Sequence, residues 1–575
     1  MSNVSSAARS GCSRQVAVAT NNLTFTYRGS QSAALRGVTL SIMEGELVGL
    51  MGHAGCGKST LCMCLAGLIP HFLKGALDGE ITLQGCGFIT KTIREIGKSV
   101  GLVFQDFESQ LVSTNVEQEL AFGPENHGLP RNEMARRVDK YLDLTQLGEL
   151  RYRQQVSLSG GQRQLLAIAA VLTMETPVVV LDDPMSDLDP SNADKVRGIA
   201  RSTAEGNRTV IVVEHEPESV VGADRLVLMS NGQIAAEGRT AQLLANLELM
   251  ERCGVRPPQL AVFFRNIGVP ELPLNVEDAV ALLPTFRRST YWHFGETAKA
   301  RHTNPPILET RNVFHVYSSG GISALENVTF QVYDNEFIAI VGKNGSGKST
   351  LGKLLSGLLR PSTGVVCALG GHTSKMSRRS LALFVGYVFQ NPAYQIFAPT
   401  VYEEVAFGPR NFGMAEDEIL ARVTQALSAV DLEGYQDRDP FALTKGERQR
   451  VAVASILVAR PRILILDEPT TGLDYPQQRS MMEMLVRLHQ EGHVVIIITH
   501  SMWVAAEYAA RTVVMRNGSV ILDGPTREVF RREEELASAN LKPPPIVQLS
   551  NRLNIGALSV EEMTRAFVSG FEPTR

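Results

Sequence analysis

Long apolar runs are missing from this chain of 575 residues. None approaches the roughly 18 residues that a membrane-spanning helix needs, and the longest, such as VVIIIT at 494–499, have the length of buried strands. The amino-terminal stretch MSNVSSAARSGCSRQ has no apolar core after its charges, so we expect a flexible tail over residues 1–15 and no secretory signal. These absences exclude a helical membrane channel as the function of the chain itself.

Cysteine is also scarce, and charges of the two signs nearly balance. Seven cysteines without CxxC pairs fit neither a disulfide framework nor a zinc site, and they indicate a reducing compartment such as the cytosol. The formal net charge of −4 disfavours nucleic acid as a partner, because nucleic-acid binders usually carry a basic excess. A chain of this length is too long for one hydrophobic core, so we predict two or more domains.

The chain contains one long repeat. GHAGCGKST at 52–60 recurs as GKNGSGKST at 342–350, and VVVLDDP at 178–184 recurs as ILILDEP at 463–469. The first motif is offset by 290 positions and the later ones by 285. The two copies therefore differ by a single change in length over about 160 positions. This regular spacing indicates a duplicated domain.

Each copy is followed by a proline-led, helix-like segment. PPQLAVFFRN begins at Pro257 and PPIVQLSNRL begins at Pro544, and we interpret both as small helical appendages. The polar stretch 286–305 is the best linker candidate. The predicted segments are a tail (1–15), the first copy (16–250), its appendage (251–285), the linker (286–305), the second copy (306–540) and its appendage (541–575).

Gly-x-x-x-x-Gly-Lys-Ser after an apolar strand is typical of a phosphate-binding loop. The glycines let the backbone point N–H groups at phosphate oxygens, and the following helix adds the positive end of its dipole. The lysines would neutralise the β- and γ-phosphates, and the serines Ser59 and Ser349 would bind Mg²⁺. The predicted nucleotide-binding residues of the loops are Gly52, Gly55, Gly57, Lys58, Ser59, Thr60, Gly342, Gly345, Gly347, Lys348, Ser349 and Thr350.

A second apolar strand in each copy ends in two acidic residues. These are Asp182 and Asp183 in the first copy, and Asp467 and Glu468 in the second. Continuous branched apolar residues suit a parallel strand that is buried on both faces. The carboxyl end of the strand would bring the first acid of each pair to the metal and the second to the γ-phosphate, where it could polarise an attacking water.

His215 and His500 each follow a further β-rich strand. A lone histidine at such a place is often a core residue or a helix cap. The recurrence at the same offset of 285 favours a contact with the γ-phosphate in each copy.

The order of these motifs, with the signature LSGGQ at 158–162, resembles the ATP-binding-cassette family twice over and across nearly the whole chain. The resemblance implies an α/β fold with two P-loop NTPase cassettes, each with a helical signature subdomain and a small carboxyl-terminal appendage. It also implies an ATPase that uses ATP and Mg²⁺. In that family two cassettes meet head to tail, here as an intramolecular dimer, and each ATP lies between one phosphate loop and the other signature.

The resemblance assigns roles to further residues. Gln105 and Gln390 would touch the metal and the attacking water, and would lead to the coupling helices of a membrane partner. Tyr27 and Tyr317, each 31 residues before its lysine, would stack on adenine, unless they are core aromatics. The signature residues that would contact nucleotide are Ser159, Gly160, Gly161 and Gln162 in the first copy, and Thr444, Lys445, Gly446 and Glu447 in the second.

A narrower resemblance comes from AFGP at 121–124 and 406–409. The segments around it are similar to the ATPases of energy-coupling-factor importers, which take up vitamins or cobalt and nickel. That group implies a motor on the cytoplasmic membrane face, with an integral coupling (T-type) protein and a substrate-capture (S-type) protein as partners. One alternative is a twin-cassette sugar importer, which AFGP disfavours. Another is a soluble ribosome-associated ATPase, which usually carries a long charged linker.

The second signature reads LTKGE at 443–447. Lys445 adds bulk where a glycine lets backbone approach the γ-phosphate, and Glu447 adds a negative charge. By the head-to-tail rule this signature serves the first phosphate loop, whose acid Asp183 is one methylene shorter than glutamate. A misplacement of about 1 Å can cost roughly 100-fold in rate, so we expect slow hydrolysis with retained ATP there, and a competent site built on Glu468. The alternative is neutral drift with residual activity.

Overall fold

The computed structural model describes residues 15–88, 91–185, 188–283, 304–317, 321 and 323–568. By its contacts the chain divides into one unit of residues 1–185 and 194–256, and a second of residues 186–193 and 257–575. Nearly all of the predicted tail and most of the predicted linker lie outside the described residues. In the part of the chain that is described, none of the helices combines the length and the hydropathy of a membrane span.

The core of the first copy is a six-stranded sheet. Its strands are β3 (Leu47–Gly52), β6 (Val100–Val103), β7 (Val178–Asp182), β8 (Thr209–Val213), β9 (Arg225–Ser230) and β10 (Gln233–Arg239). They lie in the order β10-β9-β3-β8-β7-β6, and all neighbours are parallel except β9 and β10. Every residue of β7 and β8 is buried, as expected for strands covered on both faces.

A smaller antiparallel sheet packs beside this core. Its strands β1 (Val16–Tyr27), β2 (Leu35–Met43), β4 (Gly75–Leu83) and β5 (Cys86–Gly87) lie in the order β2-β1-β4-β5. The helices of the first copy are α1 (Lys58–Leu65), α2 (Leu68–His71), α3 (Ile93–Ile96), α4 (Val116–Asn126), α5 (Arg131–Thr145), α6 (Gly160–Leu172), α7 (Pro190–Glu205), α8 (Pro217–Val220), α9 (Thr240–Leu244) and α10 (Leu247–Arg252). Of these, α4, α5 and α6 pack on one another as a helical subdomain.

The second copy repeats both sheets. Its strands are β11 (Leu308–Val316), β12 (Ser323–Val332), β13 (Phe337–Val341), β14 (Thr363–Ala368), β15 (Gly371–His372), β16 (Val385–Val388), β17 (Ile463–Asp467), β18 (Val494–Thr499), β19 (Arg511–Arg516) and β20 (Ser519–Pro525). The orders β16-β17-β18-β13-β19-β20 and β12-β11-β14-β15 match those of the first copy. The predicted fold class, two α/β P-loop cassettes, is confirmed.

The helices of the second copy follow the same plan. They are α13 (Lys348–Leu355), α14 (Arg378–Ala382), α15 (Val401–Asn411), α16 (Glu416–Ala429), α17 (Lys445–Leu457), α18 (Tyr475–Gln490), α19 (Met502–Tyr508), α20 (Thr526–Arg531) and α21 (Glu533–Ser538). Here α15, α16 and α17 form the helical subdomain.

The segments after the two copies form one small bundle inside the second unit. Its helices are α11 (Gln259–Asn266), α12 (Val276–Leu282), α22 (Pro545–Arg552) and α23 (Val560–Val568). Helix α11 packs against α22 and α23, and α12 packs against α22. The rings of Phe263 and Phe567 meet edge to face, 5.0 Å apart. Segments from the middle and the end of the chain thus share one apolar core, while the exact domain boundaries stay a prediction.

Candidate functional site

The phosphate-binding loop of the first copy joins β3 to α1, and its glycines have conformations that side chains would not allow. Gly52 has φ 154°, and a Cβ built on it would lie 2.2 Å from the carbonyl oxygen of Met229. Gly57 has φ 104°, and its Cβ would meet a backbone carbonyl at 2.6 Å. The second loop repeats these contacts at 2.4 and 2.6 Å for Gly342 and Gly347. Glycine is therefore required at these positions.

Both loop lysines are buried and fold back onto their own loops. The Nζ of Lys58 donates to the carbonyl oxygens of Gly52 (2.8 Å) and His53 (2.9 Å), and that of Lys348 makes the matching bonds at 2.8 and 3.1 Å. Burial lowers the pKa of Lys348, although nearby carboxylates oppose the shift. The ammonium groups are held inside the loops, where they could bind phosphate oxygens.

The serine after each lysine meets the acid at the end of the acidic strand. The Oγ of Ser349 donates to Oδ1 of Asp467 at 3.1 Å, and Ser59 hydrogen-bonds Asp182 in the first copy. Burial raises the pKa of both carboxyl groups, that of Asp182 to about 6, although hydrogen bonds oppose the shift. A hydroxyl beside a carboxylate offers the hard oxygen donors that Mg²⁺ prefers, so these residues fit the predicted metal.

In the second copy the next acid, Glu468, forms a tight pair with the predicted histidine. Its Oε1 lies 2.9 Å from Nδ1 of His500, and Thr471 donates to Oε2 at 3.3 Å. Burial raises the pKa of Glu468, but the charge and hydrogen bond of His500, with the charge of Lys348, outweigh burial and leave the pKa below its usual value. The carboxylate is therefore ionised and oriented, as a proton acceptor must be.

The matching residues of the first copy are arranged differently. Asp183 Oδ2 lies 3.9 Å from Nε2 of His215 and accepts a hydrogen bond from Nε2 of Gln105 at 3.1 Å. Asp183 and Glu468 have nearly the same positive φ, 55° and 51°. The backbones agree and aspartate is one methylene shorter than glutamate, which is consistent with the longer carboxylate–imidazole distance in the first copy, 3.9 Å against 2.9 Å.

The predicted adenine-stacking tyrosines lie beside the loop helices. The Oη of Tyr27 and the Oγ1 of Thr60 are 3.1 Å apart, and Tyr317 and Thr350 are at the same distance. Tyr27 also packs edge to face on Phe25, with ring centroids 4.8 Å apart. Both rings are only partly buried, which leaves part of each ring accessible, and their contact with adenine stays a prediction.

Both signatures begin a helix through the same capping box. Ser159 caps α6 and exchanges hydrogen bonds with Gln162, while Thr444 caps α17 and exchanges them with Glu447. The Glu447 carboxylate accepts from the N–H and Oγ1 of Thr444 at 2.8 and 2.7 Å, and from Oη of Tyr435 at 2.8 Å. The exchange of glutamine for glutamate therefore preserves the cap.

The side chain of Lys445, on α17, extends to Gly472. A Cβ built on Gly472 would lie 2.0 Å from the Nζ of Lys445. Gly472 has φ 70° and follows the acidic strand of the same copy. The lysine side chain thus covers part of its own cassette, and its predicted contact with nucleotide stays a prediction.

We expect Glu447→Ala to lower the free energy of unfolding by about 1 kcal/mol, because it removes one of the two reciprocal halves of the capping box and leaves Thr444 as the remaining cap. Burial raises the pKa of Glu447, but hydrogen bonds from Thr444 and Tyr435 leave it below the usual 4.5. A lowered pKa stabilises the folded state above the unfolded value, so the loss should be complete at neutral pH and shrink as pH falls below about 4.5. Urea unfolding at several pH values would measure it.

The matched control is Glu447→Gln, which keeps an acceptor at the same place and restores the residue of the first signature. It should unfold close to wild type at pH 7. If Glu447→Ala unfolds at the wild-type urea concentration, the carboxylate does not hold this helix end.

The remaining predicted residues lie after strands, in the phosphate loops or in the first turns of the signature helices. Gln105 and Gln390 follow β6 and β16 and are exposed. Gly55 and Gly345 have φ 73° and 77° in their loops. In the first turns of α6 and α17, Gly160 is partly buried and Gly161 and Gly446 are buried.

Two residues near the sites were missed by sequence reasoning. Tyr387 donates its Oη to Oδ2 of Asp467 at 2.7 Å, and Leu102 stands at its place in the first copy. Glu214 is a buried carboxyl where the second copy has Thr499. Burial, then the charges of Asp183 and another acid, raise the pKa of Glu214 well above its usual value. The contrast of VEHE with ITHS in the repeat was a signal for Glu214.

Comparisons with known proteins agree on one family. The family model described as ABC transporter matches residues 35–186 and 325–471. An ABC transporter ATP-binding protein of Caldanaerobacter subterraneus subsp. tengcongensis is 45% identical over 94% of this chain and 97% of its own length. Another from Methanosarcina acetivorans is 39% identical over 91% of this chain and 88% of its own. The solved structures include CbiO1 of Clostridium perfringens, described as part of the ABC transporter complex CbiONQ. It is 38% identical in sequence to this chain, and the match covers 43% of this chain and 99% of that chain with a TM-score of 0.38.

Proposed function

Because the chain belongs to the ABC transporter ATP-binding proteins and is an ATPase with two cassettes, we propose that it is the motor subunit of an importer of the energy-coupling-factor type. It would lie on the cytoplasmic face of the membrane. An integral T-type protein would receive its motion, and an S-type protein would capture the substrate. ATP binding and hydrolysis would open and close the paired cassettes, and the membrane partner would convert that motion into transport.

The observation that carries this proposal is an apolar surface that recurs in both cassettes. Phe122 and Phe407, the phenylalanines of the two AFGP elements, are 48% and 47% exposed on α4 and α15. Val112 and Phe397 stand at another pair of equivalent positions and are 63% and 59% exposed. The rings of Phe397 and Phe407 are 4.7 Å apart. Exposed apolar groups that recur at matching places favour a partner surface.

Buried acids hold this surface in place. In the second cassette the Oε2 of Glu404 accepts the N–H groups of Phe397 and Ala398, each at 2.9 Å. In the first, Glu119 accepts the N–H of Val112 at 3.1 Å in the same way. Because these carboxylates fix the backbone, the apolar side chains are presented in a defined position rather than on a mobile loop.

A cavity of about 880 Å³ lies next to α15 in the second cassette. Gly408 and Phe412 line one side of it, and Phe389, the residue before Gln390, lines another. A coupling helix of the T-type protein seated here would contact the segment that leads directly to the predicted water- and metal-contacting glutamine. This arrangement supports a mechanical link between the membrane partner and the nucleotide site.

Within the motor, the loop around Lys348 would act with the first signature, and the loop around Lys58 with the second. Mg²⁺ held by Ser349 and Asp467 would neutralise charge on the transferred phosphoryl group. Glu468 would orient and deprotonate the attacking water, with His500 holding its carboxylate. The weaker geometry at Asp183 supports slow hydrolysis at the other site, which would retain ATP and keep the cassettes associated.

Phe407→Asp should weaken capture of the membrane partner by about 30-fold, the effect of losing one interface hot spot of about 2 kcal/mol. Tagged protein would be purified from detergent-solubilised membranes, and the small integral proteins that accompany it would be identified and quantified. Leu369→Asp is the matched control, because Leu369 is also exposed, at 66%, but follows β14 of the smaller sheet and does not lie on α15.

Two results would overturn the assignment. Ribosomal proteins in place of integral proteins would make the chain a soluble twin-cassette ATPase. Equal recovery of the membrane partners by wild type, Phe407→Asp and Leu369→Asp would exclude the surface on α15.

A further inference from the structure

The carboxylate of Asp467 is held by two hydroxyl groups from different elements. Its Oδ1 accepts from Ser349 at 3.1 Å, and its Oδ2 accepts from Tyr387 at 2.7 Å. Tyr387 lies on β16, where it pairs in parallel register with Ile465 of β17, two residues before Asp467. The tyrosine is 5% exposed and its hydrogen bond to Asp467 is buried, where a hydrogen bond is stronger than in water.

The first cassette lacks the tyrosine and has a larger residue at the equivalent place on its loop helix. Leu102 stands at the place of Tyr387, and Cys62 stands at the place of Gly352, the fifth residue of the loop helix. In the second cassette a Cβ built on Gly352 would lie 2.7 Å from Cδ1 of Ile498 and 3.0 Å from Cε2 of the Tyr387 ring. The first cassette has the smaller Val213 at the place of Ile498. The copy with the larger strand residue, Tyr387, thus has the smaller helix residue, Gly352. This exchange indicates that the packing of the second cassette is fitted to the tyrosine ring.

We propose that Tyr387 is a positioning residue that belongs to the second nucleotide site alone. By fixing Oδ2, it sets the plane of the Asp467 carboxylate and keeps Oδ1 beside the hydroxyl of Ser349, where the two groups would hold a divalent cation. Hydrogen-bonding partners behind a metal ligand typically contribute about 10–100-fold to metal affinity or activity. The first site, which has Leu102, lacks this support for Asp182.

The same ring also forms part of the wall of the 880 Å³ cavity. It packs edge to face on Phe389, with centroids 5.1 Å apart. A partner helix in the cavity would therefore press on the side chain whose hydroxyl holds Asp467. This consequence rests on the proposed function, whereas the positioning of Asp467 does not.

The test is the affinity of the full chain for Mn²⁺ in the presence of a non-hydrolysable ATP analogue, measured by electron paramagnetic resonance. Tyr387→Phe should weaken Mn²⁺ binding about 10-fold at one of the two sites, while affinity for the analogue without metal stays at the wild-type value. ATPase activity of the variant should be low at limiting Mg²⁺ and return at saturating Mg²⁺. A general packing defect would not be restored in this way.

Two further variants complete the experiment. Tyr333→Phe is the control, because it removes a tyrosine hydroxyl that donates to Gln331 at 2.8 Å, on the smaller sheet. Gly352→Cys combined with Tyr387→Leu and Ile498→Val installs the residues of the first cassette at these three places, and it should weaken Mn²⁺ binding as Tyr387→Phe does. If Tyr387→Phe and the combined variant both bind Mn²⁺ within twofold of the wild-type affinity, the proposal is overturned. This outcome does not depend on whether the proposed function is correct.

Discussion

Glu468→Gln is expected to lower the rate of ATP hydrolysis by about 10²–10⁴-fold, the contribution of a positioned general base. Glutamine has the shape of glutamate but cannot accept the proton of the attacking water. The wild-type carboxylate is already oriented, because Oε1 lies 2.9 Å from Nδ1 of His500. Its pKa lies below the usual value despite burial, so it is ionised at neutral pH. Steady-state phosphate release would measure the loss.

Asp183→Asn is the matched control in the other cassette, and turnover should change little. Asp183 lies 3.9 Å from His215 and is engaged by Gln105, so its carboxylate is not arranged as that of Glu468 is. Both variants should still bind ATP, because both loop lysines are retained. Equal losses of turnover in the two variants would show two equivalent sites and would remove the idea of a degenerate one.

The features that sequence reasoning captured are those encoded within a few neighbouring residues. The phosphate loops, the acidic strands and the signature helices each have a local pattern, and the repeat showed them twice. The α/β fold follows from the same patterns, because buried branched strands that alternate with loop helices allow few other architectures. Asp182 and Asp467 end their strands as the motif requires.

What sequence reasoning missed depends on contacts between distant residues. Tyr387 and Asp467 are 80 positions apart, and only the register of β16 against β17 brings them together. The charge of Glu447 suggested damage to the signature, whereas the structure shows that Thr444 and Tyr435 satisfy it. Repeat alignment does expose these positions as differences between copies, but packing is needed to say what each difference does.

The head-to-tail pairing of the cassettes has its own test, which uses the natural difference between the signatures. Gly160→Lys gives the first signature the lysine of the second. Among the described residues, no atom outside its own helix lies within 4 Å of a Cβ built on Gly160, so the variant should fold. If the first signature serves the second phosphate loop, turnover should fall by about 100-fold, as for an ångström-scale misplacement. The reverse change, Lys445→Gly, should have little effect.

Combining Gly160→Lys with Glu468→Gln separates the two possible pairings. In a cross-paired dimer both changes damage the same site, so the double variant should be no slower than Glu468→Gln alone, because residues that act as a unit are not additive. If each cassette enclosed its own nucleotide, Gly160→Lys would instead damage the site of Asp183. Gly160→Lys alone would then turn over ATP at nearly the wild-type rate, because the site with Glu468 is intact. The double variant would lose the residual activity that Glu468→Gln retains. Phosphate release from the two single variants and the double variant therefore decides which signature completes the competent site.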